Sequence, residues 1–301
     1  MKSLFRCFAA LSIGLSGSAA FAALNIFACL PEWSALASEI GGDKVSVYAA
    51  TTAMQDPHRI EARPSLIART RSADLVVCTG AELEIGWLPV VLDSSGNGKI
   101  RPGQLGYFEA SSFVTLTGVP ERLDRAMGDV HPGGNPHVHT DPRNVGLIAA
   151  ALAQRMAQID PANAAHYRQR HEAFAQRWSS AIAKWERDAA PLKGLMLVQH
   201  HTYYDYLWSW LGLQAIGALE PKPGVEPTVS HMTQLVTQQQ TKPAKMVVHG
   251  SYNDPRASKW FAERAKVPVV MLPATVGGTP EAKDLFSFFD DIVRRLLQAV
   301  K

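Results

Sequence analysis

From Leu24 onward the chain alternates short apolar runs with helix-capable stretches, and this alternation is the strongest constraint on its fold. NIFACL precedes EWSALASEIGG, KVSVYAAT leads through a proline-containing loop to PSLIARTRSA, and LVVCTG leads to EIGWLPVVLDSS, which stops at Gly96-Asn97-Gly98. Strands that are apolar throughout are covered on both faces, as in parallel sheets built from βαβ units. After Pro191 the pattern resumes with GLMLVQ, QAIGAL, KMVVHG and VPVVML, and a last helix is expected from about Pro280. The middle differs. From Pro142 to about Ala189 only helical periodicity is visible, broken once at Asp160-Pro161. Beyond that break Tyr167, Phe174, Trp178, Ile182 and Trp185 recur at helical spacing, which predicts one stiff helix of about 28 residues, roughly 42 Å long.

The expected fold class is therefore α/β: two βα lobes with mainly parallel sheets, linked by a long rigid helix, with a cleft between the lobes. The boundaries expected are a leader at 1–22, an N-terminal lobe at 23–141, a helical segment at 142–189 and a C-terminal lobe at 190–301. Lys2 and Arg6, an apolar run and Ala20-Phe21-Ala22 have the form of a secretory signal cleaved near Ala22. No lipidation box precedes that point, so a soluble periplasmic monomer is expected. Loss of Lys2 and Arg6 takes the formal charge from +3 to +1, because residues 1–22 hold no acid. So balanced a charge argues against a nucleic-acid partner. Cys29 and Cys78 remain, both in apolar strand-like runs, and two buried thiols are expected over a disulfide, since geometry decides pairing.

Ligands of open parallel sheets bind beyond the carboxyl ends of the strands, and there the sequence places histidines. His58 follows KVSVYAA, His200 and His201 follow GLMLVQ, and His249 follows KMVV. His137 lies in HPGGNPHVHTDP, a loop by its glycines and prolines, just before the Asp141-Pro142 helix start. A single histidine is ordinarily a surface or core residue. His166 and His171 fit that description on the polar side of the long helix, as does His231 beside a serine able to cap its helix. Imidazoles converging from several strand ends are different, because three or four of them complete a tetrahedral zinc site.

DPHRIEARPSLIARTRSADLVVCTGAELE, GNPHVHTDPRNV and VQHHTYYDYLWSWLGL together resemble the zinc and manganese receptors of bacterial ABC importers. These are two-lobed periplasmic metal-binding proteins with a rigid connecting helix, and the likeness runs through the whole mature chain. The resemblance implies metal ligands at His58, His137 and His201, delivery of a divalent ion to a membrane permease, and no catalytic residues. A fourth ligand, usually a carboxylate after the last strand, is missing from MLPATVGGTPEAKDL. His249 is the first choice for that place, with Asp254, Glu220 or a water as alternatives. His131, His139 and His200 remain accessory candidates. Within the HPGGNPHVHTDP loop one ligand, His137, is expected, and His139 is expected to point away from it.

Three imidazoles favour Zn2+ over Mn2+, which prefers oxygen donors. Two rivals need stating. A zinc-dependent hydrolase would carry a helix-borne His-Glu-x-x-His or a base beside an open metal position, and neither is visible. A receptor for a metal chelate would call for a wider cleft with Arg or Tyr clamps. The aromatics of HHTYYDYLWSWLGL fit helix packing better. Asp56, Glu61 and Asp141 are read as residues that orient imidazoles or shape loops.

Overall fold

The computed structural model describes residues 23–120 and 128–301; the expected leader and its cleavage point lie outside them. Two four-stranded parallel sheets form the lobes. The first comprises β1 (Leu24–Ala28), β2 (Val45–Ala49), β3 (Leu75–Cys78) and β4 (Tyr107–Glu109), in the order β2-β1-β3-β4. The second comprises β5 (Met196–Gln199), β6 (Gln214–Ala218), β7 (Val247–Gly250) and β8 (Val269–Leu272), in the order β6-β5-β7-β8. The strand β4, only three residues long, was not visible in the apolar pattern, because Tyr107-Phe108-Glu109 is too short to show one.

Helices cover these sheets. Between the strands of the first lobe lie α1 (Pro31–Gly41), α2 (Pro64–Arg71) and α3 (Leu88–Ser95), each with proline in its first turn, where the missing N–H is not needed. Asp141 caps α4 (Pro142–Ile159) by accepting the Arg143 N–H at 2.8 Å, as Asp-Pro helix starts do. After the turn at Pro161–Asn163 comes α5 (Ala164–Asp188), 25 residues and therefore about 38 Å long. In the second lobe α6 (Asp205–Leu211), α7 (Val229–Gln238) and α8 (Arg256–Ala265) follow their strands, and α9 (Leu285–Gln298) ends the chain. The cap of α7 is Thr228, whose hydroxyl accepts the His231 N–H, and not the serine expected from the sequence.

The long helix touches both lobes, which is what makes it a strut. Toward the first, Arg170 Nε donates to the Glu39 carbonyl and a His166 ring nitrogen bonds the Gly41 carbonyl, both at 2.8 Å. Toward the second, Trp178 and Trp185 pack against Phe286 and Phe289 of α9, and Trp185 Nε1 donates to Asp290 Oδ1 at 2.8 Å. One buried core runs from the first sheet through α1, α4, α5 and α9 to the second sheet. A smaller cluster lies under α7 and α8.

The cysteine expectation is corrected. Cys29 and Cys78 form a disulfide joining the ends of β1 and β3, with Cα atoms 4.8 Å apart. Adjacent parallel strands bring the two residues into register, which their separation of 49 residues conceals. Beyond Cys78 the backbone turns through three positive-φ residues, Gly80, Ala81 and Glu82. A Cβ on Gly80 would lie 2.7 Å from Ser111 Oγ, so glycine is required there. Buried Glu84 holds the turn by accepting the Thr79 and Gly80 N–H groups at 2.8 and 3.1 Å. Burial pushes its carboxyl up to about 7 against the opposing pull of those hydrogen bonds.

Candidate metal centre

Two loops of the first lobe use the same local device. In Asp56-Pro57-His58, Asp56 Oδ1 accepts the backbone N–H of His58 at 3.0 Å; in Asn135-Pro136-His137, Asn135 Oδ1 accepts the His137 N–H at 3.0 Å. An Asx side chain bonding two residues on, with proline between, fixes a tight turn and aims the histidine. The carboxylate does one thing more than the amide. Asp56 Oδ1 also bonds His58 Nδ1 at 2.8 Å, so that Nδ1 carries the hydrogen and Nε2 keeps its lone pair. The Asn135 amide nitrogen instead reaches across to the Thr202 carbonyl at 2.8 Å. His137 Nδ1 is left buried with no partner among the described residues, and its ring stacks on Tyr203, with centroids 4.2 Å apart.

From the second lobe, His201 follows β5. Its Nδ1 lies 2.6 Å from Glu220 Oε2, which also accepts the Gly224 N–H at 2.8 Å. Glu220, an alternative fourth ligand on the sequence, is thus an imidazole orienter that frees Nε2 of His201, the arrangement by which carboxylates prepare metal-binding histidines. The His58, His137 and His201 rings surround one point, with centroid separations of 5.6 to 6.2 Å.

The fourth imidazole is His131. Its Nε2 lies 3.2 Å from His58 Nε2, and the ring centroids are 5.3 Å apart. Zinc–nitrogen bonds of about 2.0 Å at tetrahedral angles put donor nitrogens about 3.3 Å apart and ring centroids about 5.2 Å apart. The His58–His131 pair already meets that spacing, and the three pairs among His58, His137 and His201 need to close by about 1 Å or less. Burial holds the His137 imidazole well below its ordinary range, and the nearby His201 and His58 push it the same way. His131 is lowered to about 4 by burial first and His58 second. Neutral imidazole is the form that binds a metal ion.

Of the HPGGNPHVHTDP loop, where one ligand was expected with His131 as an accessory, the structure brings both His131 and His137 beside His58. His139 points away, though not from the extended segment on which that expectation rested. It does so from a short helical turn, Val138–Thr140, and its ring is buried against Glu32, Tyr203 and the Ala274 carbonyl.

His249 is not brought to the cluster. Successive side chains of a strand face opposite sides of the sheet. Val247 of β7 belongs to the cluster under α7 and α8 while Val248 belongs to the main core, so His249 faces with Val247, away from the cleft. Its Nδ1 bonds the Gly250 carbonyl at 2.9 Å, and its charged neighbour is Lys259. The same alternation separates His200 from His201. His200 joins His249 on the outer side, with Nε2 3.9 Å from Glu220 Oε1. Asp254 is paired with Arg256, Asp141 with Arg143, and Glu61 is exposed.

Sequence reasoning missed the roles of Asn135 and Tyr203. The repeated Asx-Pro-His pattern was the available signal for Asn135. Tyr203 carried none beyond lying two residues after His201.

A periplasmic family described as the zinc-uptake complex component A matches residues 26–299. The chain belongs to this family. Its members are substrate-binding proteins of metal ABC importers and not enzymes. The chain is 24% identical over 240 residues to the manganese ABC transporter substrate-binding lipoprotein PsaA of Streptococcus pneumoniae, covering 78% of this chain and 74% of that protein. The crystal structure of ZnuA superposes with a TM-score of 0.76 at 21% identity, covering 93% of this chain and 100% of that one. FpvC of P. aeruginosa, solved in complex with Ni2+, gives a TM-score of 0.74 at 22% identity, with 92% and 97% covered. The family's two-lobed parallel-sheet architecture is the one observed here. Among the described residues no helix is long and apolar enough to cross a membrane.

Proposed function

We propose that this protein captures Zn2+ in the periplasm, after export by its N-terminal leader, and delivers it to the membrane permease of an ABC importer. The ligands in this reading are His58, His131, His137 and His201, with Asp56 and Glu220 fixing the ring tautomers of His58 and His201. The observation that carries it is the convergence of four imidazoles from both lobes with two Nε2 atoms at 3.2 Å. An all-nitrogen set suits zinc and disfavours manganese, whose harder ion prefers carboxylate and water oxygen. Copper and nickel also bind imidazoles strongly, so the physiological ion depends on supply as well as affinity.

The stiff α5 restricts the lobes to small relative movements, unlike flexible hinges. Release then requires the permease to shift one ligand-bearing loop, and the loops of His58 and His131 are the less buried pair.

Competitive titration with zinc and manganese tests the reading. One zinc ion per protein is expected, bound far more tightly than manganese, with His58→Ala, His137→Ala and His201→Ala each weakening it. Tight manganese binding through oxygen ligands, or zinc stoichiometry and affinity unchanged in all three variants, would overturn it.

A further inference from the structure

His137 lacks what His58 and His201 possess. His58 and His201 each have a carboxylate on Nδ1, whereas His137 Nδ1 is buried with no hydrogen-bond partner among the described residues. Its ring rests on Tyr203, nearly parallel at an interplanar angle of 27°. Tyr203 is in turn held at its other end. The hydroxyl donates to the Ala274 carbonyl and lies 2.9 Å from His139 Nε2, which itself bonds the Ala274 carbonyl at 3.0 Å. That carbonyl can only accept, so His139 Nε2 carries a hydrogen. His139 Nδ1 lies 3.2 Å from Glu32 Oε1, and neither atom has a hydrogen-bond partner among the described residues. The other carboxylate oxygen of Glu32 accepts the Thr275 hydroxyl.

This chain of groups crosses between the lobes. Glu32 opens α1 in the first lobe, His139 sits beside a ligand, and Tyr203, Ala274 and Thr275 belong to the second lobe. Glu32, His139, Tyr203 and Thr275 are all buried, so no water competes for their bonds. In so dry a setting the bonds that are made, Thr275 to Glu32 and Tyr203 to Ala274, resist disruption.

We propose that Tyr203 is a positioning residue for His137, and that the Glu32–His139–Tyr203–Thr275 strut couples this imidazole to the relative placement of the two lobes. Displacement of the second lobe relative to α1 breaks the Thr275–Glu32 bond and draws Tyr203 and Ala274 together away from His139. The Tyr203 ring moves with its lobe, and His137 loses the face on which it is stacked. The strut thereby converts a small lobe movement into loosening of one metal ligand. The inference rests on the reading of His137 as a ligand.

The test measures zinc loss from the loaded full-length mature protein into excess chelator, with the visible spectrum of the Co2+ form as a second readout of ligand geometry. Tyr203→Leu removes the stack and is expected to speed metal loss about 10–100-fold, the range found when groups supporting a ligand are removed, with an altered Co2+ spectrum. Tyr203→Phe keeps the stack but loses the anchors, so a smaller acceleration is expected, to which His139→Gln adds little. Thr275→Val, which breaks the far end of the strut, should also speed release and serves if Tyr203→Leu fails to fold. A packing role alone would lower the thermal midpoint of the metal-free protein while leaving metal loss and the Co2+ spectrum unchanged, and that result overturns the proposal. His137→Ala separates the two readings. Undiminished metal binding in that variant removes the ligand assignment and the strut with it. Impaired binding there, with normal release from the Tyr203 and Thr275 variants, removes the strut alone.

Discussion

The two lobes have the same strand order and use histidine differently. The first lobe and its following loop send His58, His131 and His137 to the cleft from irregular segments, and Asx turns aim His58 and His137. The second lobe carries His200, His201 and His249 on or directly after strands, where the pleat decides direction, and only His201 faces the cleft. A strand end supplies position, but on a strand half of the side chains face the wrong way. Loops escape that constraint, and their rings are then held by different means, His58 by the Asp56 carboxylate and His137 by its stack on Tyr203.

This contrast can be broken experimentally. The largest effect is expected at the neighbours His201 and His200. His201→Ala should weaken zinc by more than the 10–100-fold typical of supporting groups, whereas His200→Ala should leave one bound zinc with affinity changed by no more than about 3-fold, as measured by chelator competition. Equal losses would mean that the pleat does not separate them. Next come the orienting carboxylates. Asp56→Asn and Glu220→Gln are expected to weaken zinc about 10–100-fold each, and the two losses should be similar if loop-borne and strand-borne imidazoles depend equally on their acceptors.

A smaller effect is expected from pH. Burial lowers the folded-state affinity of His131 and His137 for protons. The unfolded chain therefore binds protons first as pH falls below the ordinary histidine value of about 6.5. Stability of the metal-free protein should decline from there toward pH 4. Thermal midpoints across this window should fall less steeply for His137→Phe than for the wild type. The smallest effect is expected at His249, where His249→Ala should keep both zinc stoichiometry and affinity.

Much of this arrangement was legible in the residues. The apolar runs gave the parallel sheets, Asp160-Pro161 marked the start of the strut region, and the Asp-Pro-His and Asn-Pro-His motifs pointed to His58 and His137. What escaped depended on distances between residues remote in sequence. The Cys29–Cys78 bond arises from the register of β1 against β3, and no spacing of 49 residues announces it. His131 looked like an accessory because its glycine-rich neighbourhood fixes no direction, and its approach to His58 spans 73 residues. His249 seemed well placed because a sequence shows where a strand ends but not which face its last side chain occupies. Tyr203 read as packing, and it does pack, but the surface it packs against is a ligand candidate.

The central claim is that four imidazoles, His131 among them, enclose the metal ion. X-ray absorption at the zinc edge on the loaded protein and on His131→Ala tests this most directly. The account predicts four nitrogen neighbours at about 2.0 Å with the outer-shell signature of imidazole in the wild type, and one imidazole fewer in the variant. Mixed oxygen and nitrogen ligation in the wild type, or an imidazole count that His131→Ala does not change, would contradict it.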